Sequence, residues 1–160
     1  MSFALFVAWD RRKDSNLNKV ERTRVLSLLA IESAENIIRA KEIKKILGKE
    51  SVKMIFGQTA YLMAFAHLSS DSWTIAKAGN PLKHMSLGSL KKWMLAYNSL
   101  VMINDNLEAR ELTKATSRGM KIRSELIRKY DDTLLRAIDQ YLERVEVARD
   151  TLPNEVSVNP

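Results

Sequence analysis

The chain reads as all-α: a single-domain helical bundle of about five to seven helices. Three observations predict this. Apolar residues recur mostly three or four positions apart, the spacing of a helix with one buried face. Strand-like alternation is scarce, and "VSV" near the C-terminus is too short to count. The 160 residues, 46% hydrophobic and 28% charged, have the length and composition of one globular domain with a core of its own. Only five glycines and three prolines occur, with no flexible linker and no internal repeat. The expected domain is residues 1–152, followed by a tail at 153–160.

The elements follow from local signals. Phe3 to Trp9 is a short apolar element, and "DRRKDSN" (Asp10 to Asn16) reads as a polar connector. Asn16 or Asn18 caps a long helix that stops at Gly48. Glu50 and Ser51 open a second helix to about Leu68. "SSDS" (Ser69 to Ser72) caps a short turn from Trp73 to Ala78, and "GNP" (Gly79 to Pro81) breaks the chain. Ser86 caps a helix from Leu87 to Ile103. Asp105, with Glu108 three residues on, resembles a capping box and restarts the pattern. Periodicity then persists to about Asp150, with breaks expected at Gly119 and at Asp131–Asp132.

Charge is distributed unevenly. The formal net charge is +7, but residues 1–130 carry +11 and residues 131–160 carry −4. No carboxylate occurs between Ser72 and Asn104, whereas Lys77, Lys83, Lys91 and Lys92 do. Such a field attracts polyanions; the plainer reading is solubility charge on a basic protein.

Three basic clusters are candidate contacts. In "TKATSRGMKIR" (Thr113 to Arg123), at about 100° per residue, Lys114 and Lys121 join Arg110 and Arg128 on one outer stripe. Arg118 lies at its edge, and Leu112, Leu126 and Tyr130 lie opposite. Cations so spaced can meet successive phosphates, with arginine gripping bidentately. Ala115, Thr116, Ser117 and Gly119 would admit a backbone, and the hydroxyls can bond phosphate. The alternative is an ordinary solvated helix face. The second cluster, Lys41, Lys44, Lys45 and Lys49, closes the first long helix, where the dipole alone favours cations. The third places Lys83 and His84 before a helix N-terminus and Lys91 and Lys92 one turn in. Trp93 beside them is either a stacking platform or core.

Catalytic chemistry is missing from the pattern. There is no cysteine, and the two histidines, His67 and His84, have no ligand spacing. His67, in the apolar "MAFAHL", reads as a core or boundary residue. Asp131–Asp132 reads as a cap or break rather than a Mg²⁺ site, because adjacent helical residues diverge by about 100°. No phosphate-loop, dinucleotide or nucleophile-elbow motif occurs. The expectation is therefore a non-enzyme without cofactor or metal. "IFGQTAYLMAFA" (Ile55 to Ala66) is too short and too interrupted to span a bilayer, and "FALFVAW" makes a poor signal peptide. A soluble, cytoplasmic protein is expected. The methionines and aromatics of "MIFGQTAYLMAFAHL" read as core, or as a face for a partner subunit.

In size, helical pattern, lack of catalytic motifs and basic face, most of the chain resembles the small helical subunit of CRISPR effector complexes, the Cascade type. The resemblance is of character and rests on no motif, and the acidic tail after Tyr130 has no match in it. It implies a subunit of a ribonucleoprotein complex, present in several copies beside other protein subunits, that contacts guide RNA or target DNA backbone without cutting it. It implies Arg110, Lys114, Arg118 and Lys121 as contacts. The competing readings are a viral matrix- or capsid-like protein, with its basic face toward a membrane or genome, and an adaptor or inhibitor bound to an acidic protein.

Overall fold

The computed structural model describes residues 3–53, 67–78, 82, 85–116 and 120–152, with side chains at 19–48, 67–78, 82, 85–116 and 125–152. Four helices occur among them: α1 (Phe3–Lys53), α2 (Asp71–Ala78), α3 (Leu87–Thr116) and α4 (Met120–Arg149). No strand occurs among the described residues, and the all-α class holds.

α1 runs unbroken through two places where the sequence suggests an interruption. "DRRKDSN" is helical and not a connector, and Gly48 does not stop the helix. The residues of "DRRKDSN" disfavour a helix by only a few tenths of a kcal/mol each, too little to end one. Just before Gly48, Ile43 and Leu47 are buried, so core packing outweighs the glycine's cost of about 1 kcal/mol. Residues 51–53, expected to open a second helix, belong to α1. Most of the methionine- and aromatic-rich run lies outside the described residues; of its end, Leu68 is buried but non-helical, and His67 is exposed rather than core.

The segment 67–70 is held by side chains. Asn36 of α1 donates from Nδ2 to the Ser69 carbonyl (2.7 Å) and accepts from the Ser69 N–H (2.9 Å). Asn104 of α3 does the same for Leu68, at 2.9 and 3.0 Å. Each amide presents a donor and an acceptor side by side, as a neighbouring strand would. Arg39 adds a bond to the His67 carbonyl. The buried carboxylate of Glu32 accepts from Ser69 Oγ, the Ser72 N–H and Tyr97 Oη. α2 is thus capped partly from another helix, with Ser69 Oγ also accepting from the Asp71 N–H. Trp73 of α2 stacks on Tyr97 of α3, centroids 4.9 Å apart and planes 6° from parallel.

α3 begins as expected: Ser86 Oγ accepts from the Ser89 N–H at 3.0 Å. It then runs on through Asn104–Asn106, where a restart was predicted. Asn104 spends its side chain on Leu68, and Asn106 Nδ2 bonds the Met102 carbonyl within the helix. The break expected near Gly119 does fall there, since α3 ends at Thr116 and α4 starts at Met120; Gly119 itself lies outside the described residues. The two helices form an antiparallel hairpin. Arg110 meets Asp131, and Arg144 Nη1 donates to Ser99 Oγ, pairs that run in opposite directions along the two helices. α4 passes through Asp131–Asp132 unbroken. α1 packs on α4 and α2, and the core is built from Leu29, Ile37, Ile43, Trp93, Leu100, Ile103, Leu134 and Ile138 among others.

A Cβ at Gly48 would meet nothing within 4 Å. Gly48→Ala is therefore expected to raise unfolding free energy by about 0.5–1 kcal/mol, read as a higher urea midpoint at unchanged slope.

Candidate functional site

The candidate surface is not where the helical wheel put it. Arg110 is fully buried and Lys114 nearly so, whereas Leu112 and Leu126, assigned to the inner face, are exposed. Of the expected outer stripe, Arg110 and Lys114 lie inside, whereas Arg128, on α4, is exposed. The reason lies upstream. The buried side of α3 is Trp93, Ala96, Leu100, Ile103 and Leu107, spaced three or four apart. In an unbroken helix the same stripe continues to Arg110, Glu111 and Lys114. A restart at Asn104–Asn106 hides this continuity.

Buried charges must be paired. Arg110 Nη1 lies 2.8 Å from Glu111 Oε1, and its Nε donates to Asp131 Oδ1 at 2.5 Å. Lys114 Nζ lies 3.3 Å from the same Glu111 oxygen. Two cations and two carboxylates thus interlock where α3 and α4 approach their connection. Glu111 Oε2 has no hydrogen-bond partner among the described residues. Of the two hydroxyls expected to meet phosphate, Thr116 Oγ1 bonds the Leu112 carbonyl, and Ser117 lies outside the described residues. Trp93 is fully buried and cannot stack a base.

The remaining cations divide into two groups. The side chains of Lys83, Arg118 and Lys121 lie outside the described residues, as do those of His84 and Lys49. Lys44, Lys45, Lys91, Lys92 and Arg128 are exposed. On α1, Lys41, Lys44 and Lys45 fall within about 100° of arc and share one exposed face with Gly48. Lys44 also bridges to Asp139 of α4; both side chains are about half exposed, so the pair stabilises little. The helix-dipole explanation for this cluster weakens, because α1 runs on to Lys53, eight residues past Lys45, and the dipole acts only over the last turn.

Glu32, Asn36, Tyr97 and Asn104 form the polar network that sequence reasoning missed. A signal existed. Glu32 and Asn36 interrupt the apolar stripe Leu29, Ala30, Ile37, Ala40, and a polar residue on a buried face needs a partner. Burial holds the Tyr97 phenol in its neutral form far above the usual tyrosine range, helped by the bond to Glu32. Tyr141 is raised as well, chiefly by burial. Among the described residues no group of three or more His, Asp or Glu could hold a metal ion. No helix among them is long and apolar enough to cross a membrane. The chain matches no protein-family model, no curated protein and no solved structure.

Two predictions follow from burial. Arg110→Ala strands Asp131 and Glu111 inside the protein and is expected to cost about 3–5 kcal/mol in urea unfolding. The exposed Arg128→Ala is expected to change stability by under about 0.5 kcal/mol. For Tyr97, the unfolded chain gives up its phenolic proton near pH 10, well before the folded chain does. Stability is therefore complete below about pH 10 and falls as pH rises above it. Urea unfolding at pH 9 to 11.5 should show that fall, and Tyr97→Phe should lessen it, with Tyr141 carrying the remainder; an equal fall in the variant removes Tyr97 as its source.

Proposed function

We propose that the chain is a non-enzymatic helical subunit of a larger nucleoprotein assembly and that it contacts a nucleic-acid backbone through the exposed lysines of α1. The proposal includes the class the sequence resembles, the small subunit of CRISPR effector complexes. One observation carries it: Lys41, Lys44 and Lys45 stand together on one exposed face, well inside a helix, where the dipole does not account for them. Grouping matters more than total charge. Among the described exposed side chains, cations and carboxylates are equal in number, so a general excess does not distinguish this surface. Lys92 and Arg128, exposed on α3 and α4, are further contacts; Arg110 and Lys114, being buried, are not.

Contact of this kind is with phosphate, and it is insensitive to sequence. Three lysines that release counterions give a log–log salt slope of about −2 to −3. Fluorescence anisotropy with labelled single-stranded RNA, single-stranded DNA and duplex, at 50 and 200 mM salt, is expected to show that slope. Lys41→Glu/Lys45→Glu should reduce both affinity and slope without changing the circular dichroism spectrum. Binding to anionic vesicles but to no nucleic acid would replace this reading with a membrane one, and salt-insensitive or absent binding to either would end it.

A further inference from the structure

α3 has a second face, opposite its core stripe, and this face repeats. Lys91, Met94, Asn98, Val101 and Asp105 are spaced three, four, three and four apart, and within about 80° of arc. Leu95 and Met102 flank the stripe. All seven are exposed, Met94, Val101 and Met102 each at 48% and Leu95 at 40%. Lys91 and Asp105 make no ion pair among the described residues. A heptad-spaced stripe of 15 residues, with apolar Met94 and Val101 on it and Leu95 and Met102 beside it, has the spacing that packs helix against helix. Contiguous exposed apolar residues of this kind mark an interaction site.

We infer that this face is a homodimer interface in which two α3 helices pair antiparallel about a two-fold axis through Asn98. The argument is self-complementarity, which a two-fold interface requires. With Asn98 facing its own copy, Lys91 of each copy falls opposite Asp105 of the other, both about 10 Å along the helix from the axis. In the same register Met94 faces Met102, and Leu95 faces Val101. Cation thus meets carboxylate twice, and every apolar residue of the stripe meets another. A parallel pairing in register fails, because Lys91 would face Lys91 and Asp105 would face Asp105. A polar residue at the centre of such a stripe is a known means of fixing register. A contact of one helix pair is small for a stable interface, so a dimer at micromolar rather than nanomolar concentration is expected.

The chain has no cysteine, which makes the geometry directly testable. At an interaxial distance of 8–10 Å, the two Asn98 Cα atoms lie roughly 5 Å apart, within disulfide range. Asn98→Cys is expected to cross-link to a dimer on mild oxidation, faster than Ala78→Cys, an exposed control off the stripe. Analytical ultracentrifugation at 10–100 μM (roughly, the range set by interface size) should show a dimer for the wild type. Lys91→Asp and Asp105→Lys should each weaken it about tenfold or more, and Lys91→Asp/Asp105→Lys should restore it. Circular dichroism of each variant separates lost dimer from lost fold. A wild-type monomer throughout, a dimer indifferent to both single reversals, or a double reversal that fails to recover while folded would each overturn the interface.

Discussion

The carboxylate of Glu32 lies at the crossing of three helices and the segment between two of them. It receives the N–H at the start of α2, the hydroxyl of Ser69 in the preceding segment and the phenol of Tyr97 in α3. Tyr97 in turn carries Trp73 on its ring face and Trp93 beside it. A buried acceptor with three donors is satisfied only when all three elements are in place, so its bonds form together or not at all. The asparagine clasps extend the same constraint. Asn36 and Asn104 fix four backbone groups of a segment that has no ladder of its own. What positions α2 and the middle of α3 is therefore polar geometry first and apolar packing second.

The second constraint is the ion cluster at the other end of α3. Arg110, Glu111, Lys114 and Asp131 bury both signs of charge where the hairpin helices meet. A buried ion pair adds little net stability over a well-packed apolar pair. It does make one register of α3 on α4 far better than any neighbouring one, since a slip would leave charges unpaired. The cluster also removes two cations from the surface. The electrostatics seen by a partner are then set by small groups such as Lys41, Lys44 and Lys45, and not by the +7 of the whole chain.

How much of this is legible in the sequence depends on whether a residue's role is local. The Ser86 cap, the SSDS cluster before α2 and the interruption near Gly119 are local, and the sequence places each. Gly48, Asn104–Asn106 and Asp131–Asp132 look like helix ends by the same local rules and are not. Asn104 is used on Leu68, 36 residues away, and Asp131 on Arg110, 21 residues away. Local propensity differences of a few tenths of a kcal/mol cannot compete with such bonds. A split at Asn104–Asn106 loses the phase of the buried stripe of α3 and turns Arg110 and Lys114 outward; the unbroken helix buries both.

The continuity of α3 governs both of its faces. On the inner side it carries the apolar stripe from Trp93 onward into the ion cluster, so that one helix serves first as core and then as a charged lock for α4. On the outer side it keeps Lys91 and Asp105 on one line, 14 residues apart and four helical turns in phase. A helix that restarted at Asp105 would break that phase and with it the two-fold match. Asn104 lies inside this unbroken stretch with its amide held by the Leu68 backbone, and Asp105, whose side chain could cap a new turn, stays within the helix. The turn of α3 that closes the 67–70 segment on one side is thus the turn that carries Asp105 on the other, in phase to meet a copy of itself.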